Sequence, residues 1–152
     1  MWKDAHTENQ WPLRRFKMNY TYDRYWGVFY SGGAIQGNPS SSKIVGVGYS
    51  GTDVYLNQPT HDNIRDVGCL PAGRYTFKGP RDDPKTGEYI FDLIPEPSNN
   101  MKGRGDFQNH GDLIGAPGTS TTKLDHMASD GCIVSPRWTR NLWKDGDILD
   151  VI

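Results

Sequence analysis

Turn-forming residues interrupt this chain at short intervals. Ser31-Gly32-Gly33, Gly37 to Ser42, Ser50-Gly51, Asn57 to Asp62, Pro71-Ala72-Gly73, Gly79 to Gly87 and Pro95 to Gly105 are each rich in Gly, Pro, Asn, Asp or Ser. Such residues set turns by supplying positive φ, a fixed φ or a local side-chain hydrogen bond. The stretches between them are too short for long amphipathic helices, and they are aromatic and β-branched, which suits strands. Asn19 to Asp23, Arg24 to Tyr30, Lys43 to Tyr49, Arg74 to Lys78, Glu88 to Ile94, Asp106 to His110 and Asp147 to Ile152 are read as strands. One short helix is expected. Ser135 is its N-cap, Pro136 takes the first helical position, Trp138 and Leu142 lie four apart, and Gly146 follows an end near Trp143 or Lys144. The expected fold class is mainly β, a single-domain sandwich or barrel of many short strands. The length of 152 residues suits one domain with its own core. Residues 1–17 are polar and unpatterned and read as an N-terminal extension, leaving 18–152 as the folded domain. Trp26, Tyr49 and Tyr75 are core candidates.

Charge and hydropathy exclude several function classes. The net charge is −1 with no basic stripe, which disfavours nucleic acid as a partner. No apolar run reaches the ~18–20 residues of a membrane span. No apolar stretch follows the N-terminal charges, so a cleaved secretion leader is not expected. The two cysteines, Cys69 and Cys132, are too few for a disulfide framework. Cys69, in a Gly-Cys-Leu-Pro-Ala-Gly turn, reads as a small packed hydrophobe.

Chemistry concentrates between Asn109 and Pro136. His110 ends an expected strand, and a Gly/Pro/Ser/Thr-rich loop folds back like a hairpin onto Ser129-Asp130-Gly131-Cys132. A thiol attacks carbonyls well only as thiolate, and a nearby imidazole is the usual means of producing one. Glycine immediately before the cysteine lets backbone N–H groups approach a developing oxyanion. The stretch therefore reads as a cysteine acyl-transfer site with Cys132 as nucleophile and His110 as base. Asp130 and Asp112 are candidates to orient His110. His126 and His61 read as loop histidines. Arg137 and Arg140 read first as a solvated helix face and second as partners for a substrate carboxylate.

Histidine precedes cysteine by 22 positions, with Ser-Asp-Gly-Cys at the end. That order and spacing resemble the L,D-transpeptidase catalytic domain, in which a histidine and a loop lead to Ser/Thr-His-Gly-Cys. Asp130 stands in place of the second histidine. YTYDRYWGVFY, GVGYSG, LNQP, GCLPAGRYTF, GRGDFQNHGD and ASDGCIVSP occur in one order from Met18 to the C-terminus. Together they resemble the small L,D-transpeptidase effectors delivered by bacterial type VI secretion systems. Cys69 stands where that pattern has proline, and Asn109 where it has an apolar residue.

The resemblance implies a cysteine enzyme acting on peptidoglycan stem tetrapeptides at the bond between diaminopimelate and D-alanine. Hydrolysis there is L,D-carboxypeptidase activity, and capture of the acyl-enzyme by a free D-amino acid is exchange. It also implies action in the periplasm of a target bacterium, a cognate immunity protein and secretion machinery as partners, and no cofactor. Cys132, His110 and Ser129 are the implied catalytic residues, with Gly131 and Asp130 in the oxyanion turn and Gly111, Arg104 and Arg140 toward the substrate. A zinc peptidase using His110, His126 and Cys132 is the competing chemistry, though these residues lack a recognised ligand spacing. A non-catalytic wall-binding or phage structural module is the competing non-enzyme.

Overall fold

The computed structural model describes residues 16–32, 43–112 and 131–152. The described residues hold nine strands: β1 (Asn19–Asp23), β2 (Val28–Ser31), β3 (Ile44–Val47), β4 (Tyr49–Ser50), β5 (Gly73–Asp83), β6 (Gly87–Pro95), β7 (Gln108–His110), β8 (Ile133–Val134) and β9 (Ile148–Val151). All nine form one sheet in the order β3-β2-β1-β9-β5-β6-β7-β8-β4. The fold is mainly β, as the turn spacing requires. β3 and β4 stand at opposite ends of that order, yet Gly48 alone separates them in sequence. The two ends of the sheet must therefore meet there, so the sheet curls back on itself. Gly48 is the joint. A Cβ on it would lie 2.8 Å from the Val134 carbonyl and 3.3 Å from the Phe29 ring.

One face of the central strands makes the core. Tyr20 and Tyr22, Tyr75 and Phe77, Phe91 and Leu93, and Leu149 and Val151 are alternate residues of β1, β5, β6 and β9, all buried in one cluster. Trp143 fills its centre, stacked on Phe77 at 4.8 Å and tilted or edge-on to Phe29 at 4.8 Å and Tyr20 at 4.6 Å. Such ring pairs add about 0.5–1.5 kcal/mol each beyond the area they bury.

Four local readings of the sequence change. Arg24 to Gly27 is a turn rather than the start of a strand, because the Asp23 carboxylate accepts the N–H groups of Tyr25 (2.9 Å) and Trp26 (3.1 Å) and Gly27 takes φ of 65°. Trp26 is accordingly 69% exposed, stacked edge-on against Tyr25, and is no core residue; Tyr49 and Tyr75 are buried. β5 continues through Gly79 to Asp83, read from sequence as a charged loop. There Arg81 grips Asp92 across the hairpin with two hydrogen bonds (2.7 and 2.9 Å) and Asp83 of its own strand with a third (3.1 Å).

The fourth is the helix, a single turn, α1 (Arg137–Arg140), with Pro136 rather than Ser135 as its cap. The Ser135 hydroxyl instead accepts an N–H from Asn109 at 2.8 Å. α1 buries Thr139 and Arg140, while Trp138 and Leu142 face out.

Candidate active site

β7 and β8 are parallel neighbours, with Asn109 opposite Ile133 and His110 opposite Val134. The two strands run in the same direction, and the loop that the sequence reads as hairpin-like falls on residues 113–130, outside the described residues. Alternation along a strand puts Gln108 and His110 on one face and Asn109 on the other. Cys132 precedes β8 by one residue, level with Gln108, and the Gln108 N–H points at its Sγ from 3.3 Å. His110 thus lies on the strand next to the one that Cys132 leads into, about 4.8 Å across the sheet and about 6.6 Å along it at the backbone.

His110 is 1% exposed, and its Nδ1 lies 2.7 Å from the Gly111 carbonyl. A carbonyl can only accept, so Nδ1 carries a proton, and in the neutral ring Nε2 is then the nitrogen with the lone pair. That tautomer is the one a general base needs. The backbone of Gly111 thereby supplies the orienting group. Asp112 is engaged elsewhere: its Oδ1 accepts the Tyr49 hydroxyl at 2.6 Å, and its Oδ2 is buried without a hydrogen-bond partner. Ser129, Asp130 and His126 lie outside the described residues.

The turn that carries the sulfur is held from behind. Gly131 has φ of 110°, a conformation that favours glycine, and a Cβ there would collide with Arg104 Nη2 and Phe107. Its carbonyl accepts the Ser50 hydroxyl at 3.0 Å, and the Ser50 oxygen also accepts the Leu70 N–H at 2.8 Å. Cys132 is half-buried, and Cys69 and Cys132 are not joined in a disulfide. Cys69 is fully buried, with its S–H toward the Ser50 carbonyl at 3.3 Å, and burial pushes its pKa up.

The two arginines assigned toward substrate stand differently. Arg140 is buried and donates to the carbonyls of Ser135, Tyr89 (3.0 Å) and Glu88 (3.4 Å), lying against Gly111. It ties α1 to β6 and is not on a solvated helix face; burial, with Arg137 close by, lowers its pKa. Arg137 stacks over the Tyr89 ring at 3.9 Å. Arg104 is directed at backbone carbonyls beneath Gly131.

Three residues of this site escape the motif reading. Gln108 supplies the N–H facing the sulfur. Its side chain is pinned by the Thr86 hydroxyl at 2.7 Å and by Asp83 at 3.3 Å, and bonds from the Lys85 and Thr86 N–H groups, then from Arg81, hold the Asp83 carboxyl well below the usual carboxylate range. Asn109 is wholly buried and saturated: its amide donates to the Ile133 carbonyl (2.9 Å) and Ser135 Oγ (2.8 Å) and accepts the Trp143 indole N–H (2.7 Å). Ser50 props the cysteine turn. The period-two rule around His110 marks Gln108 as facing the site, but nothing in the sequence marks Ser50.

Residues 45–142 match the Tlde1 domain family, a stretch that spans β3 through α1 and the whole site. The chain belongs to this family. The Tlde1 domain is an L,D-transpeptidase-like type VI effector domain, in agreement with the ordered motifs. No curated protein matches the chain. Among solved structures it is similar to an L,D-transpeptidase from Mycobacterium tuberculosis H37Rv, at 16% identity over 89% of this chain and 57% of that one (TM-score 0.45). It is also similar to L,D-transpeptidase 3 from Mycobacterium tuberculosis in complex with a faropenem-derived adduct, at 16% identity over 88% of this chain and 59% of that one (TM-score 0.43). The chain spans somewhat under three-fifths of the length of these structures. Among the described residues, no helix is long and apolar enough to cross a membrane, and no group of three His, Cys, Asp or Glu side chains is placed to hold a metal ion.

Proposed function

We propose that the protein is a cysteine-dependent peptidoglycan-modifying enzyme that cleaves the diaminopimelate–D-alanine bond of stem tetrapeptides, by hydrolysis, by D-amino-acid exchange, or both. The observation that supports this reading is the parallel pairing of β7 with β8, which puts His110 on the strand beside the one that Cys132 leads into. His110 Nε2 takes the thiol proton of Cys132, and the thiolate attacks the carbonyl at the diaminopimelate L-centre. The Gln108 N–H supports the sulfur while it bears charge. Backbone N–H groups of the Gly131–Cys132 turn receive the oxyanion, a donor set whose members are typically worth about 10²–10³ in rate each. His110 then protonates the departing D-alanine amine, and it later activates water or an incoming amine to resolve the thioester. Ser129 and Asp130 precede Gly131 in sequence, and in this reading Ser129 is assigned with Cys132 and His110 to catalysis and Asp130 with Gly131 to the oxyanion site.

Membership in the effector family supports an antibacterial role, with export by a type VI apparatus, action in the target periplasm and a cognate immunity protein. Trimming or exchanging the terminal D-alanine removes the normal donor stems for cross-linking.

Purified tetrapeptide muropeptides incubated with the protein, with and without free D-amino acids, and analysed by mass spectrometry test the reading. Tripeptide product marks hydrolysis and mass-shifted tetrapeptide marks exchange. Cys132→Ala is expected to abolish both while remaining folded, and His110→Ala to lower turnover by at least about 10³-fold. Wild-type turnover in Cys132→Ala, or loss of activity on adding a chelator, contradicts the mechanism.

A further inference from the structure

Arg104 sits where the cysteine turn meets the segment before β5. Its Nη1 donates to the carbonyls of Asp62 and Cys69, both at 2.6 Å, and its Nη2 donates to the Gly68 carbonyl at 3.0 Å. Its Cζ lies 5.1 Å from the centre of the Phe107 ring. On the far side, Nη2 fills the space that a Gly131 side chain would need, with the Gly68 carbonyl 3.1 Å from the same point. The guanidinium is thus a spacer between a loop of carbonyls and the backbone of the residue before Cys132. The loop itself is fixed: the Asp62 carboxylate pairs with buried Arg24 at 3.0 Å, and the Gly68 N–H bonds the Ile64 carbonyl at 2.9 Å. A rigid support on one side means that the position of Arg104 dictates the position of the turn.

We propose that Arg104 is a positioning residue for the nucleophile, seating the Gly131–Cys132 turn and favouring the thiolate of Cys132 by its charge, and is not a ligand for the substrate. The inference rests on Cys132 being the nucleophile. Three neighbouring carbonyl acceptors make the fork of the guanidinium, and not only its charge, part of the role. Desolvation lowers the pKa of Arg104, and Asp62, Cys69, Asp66 and then Cys132 oppose that shift. Attraction between two groups is mutual, so the cation favours the ionised sulfur in turn. Among the described residues, the other titratable groups around this pair are Asp62 and Asp66 on the preceding segment, the Cys69 thiol, and His110 on β7. Asp62 is engaged by Arg24.

The test follows alkylation of Cys132 by iodoacetamide against pH, read by intact mass, in the full chain and in Arg104→Gln and Arg104→Lys, each checked for folding by near-ultraviolet circular dichroism. Arg104→Gln is expected to raise the midpoint of the pH profile by about one unit, slowing alkylation near neutral pH by about 10-fold. kcat on muropeptides should fall by a similar factor, with KM changed by less than about two-fold. Arg104→Lys keeps the charge but loses the fork, so its midpoint should return toward wild type while kcat stays depressed. A wild-type midpoint in folded Arg104→Gln overturns the proposal, as does a loss confined to KM, which would make Arg104 a substrate ligand. If Arg104→Gln does not fold, Arg104→Lys decides: a midpoint displaced by a full unit despite the retained charge overturns the proposal. Wild-type Cys132 that alkylates like an unperturbed thiol would instead sink the nucleophile assignment itself.

Discussion

At the scale of single residues, the chain separates two cysteines that differ only in surroundings. Cys69 is sealed under Ser50 and Tyr55, where burial disfavours the thiolate, so its thiol stays protonated at pH values where an ordinary cysteine ionises. Cys132 is half-buried, with a backbone N–H on its sulfur and an imidazole on the neighbouring strand. Brief treatment of the native protein with iodoacetamide at mildly alkaline pH should therefore add one label, on Cys132, and a second only after denaturation. Peptide mapping that found Cys69 labelled first would contradict this. His110 shows the same economy of means, since one carbonyl of its own chain neighbour chooses its tautomer.

At the scale of elements, Asn109 couples the site to the core. It lies between the residue whose N–H meets the sulfur and the histidine itself, and its amide joins β7 to β8, to the entry of α1 and to the central Trp143. Where the family pattern has an apolar residue, this chain has a polar one whose three bonds are all made inside the protein. Replacing only Asn109, as in Asn109→Leu, leaves the Trp143 N–H and the Ser135 hydroxyl with a partner missing in a buried site. The expected cost is roughly 1–3 kcal/mol, read as a lower denaturation midpoint at unchanged m-value. Activity should fall with it, because β7 and β8 carry His110 and hold Cys132. Equal stability of variant and wild type would show that the amide is not a structural tie.

At the scale of the molecule, the sheet places its two ends side by side at one glycine. Gly48→Ala forces a methyl toward the Val134 carbonyl and the Phe29 ring at once, and Val134 is the partner of Tyr49 across β4 and β8. The variant should melt several degrees below wild type and lose turnover out of proportion to its distance from the sulfur, because loosening β4 also loosens Ser50 beneath the Gly131 turn. An unaltered melting temperature would mean that the edges do not depend on this joint.

The sequence alone determined the class of fold, the order of most strands and the identity of the candidate pair. Turn residues, strand alternation and the chemistry of a glycine beside a cysteine are all local and so visible in a string. It misjudged Trp26, the Ser135 cap and the loop after Lys78, because each depended on a side-chain partner supplied locally or from another strand: the Asp23 carboxylate, the Asn109 amide and the Asp92 carboxylate. The parallel pairing of β7 with β8, the carbonyl on His110, and the support of the Gly131 turn by Ser50 and Arg104 were decided by tertiary structure alone. These contacts join residues that closure of the whole sheet brings together, and no short-range pattern encodes where a closed sheet will make its ends meet.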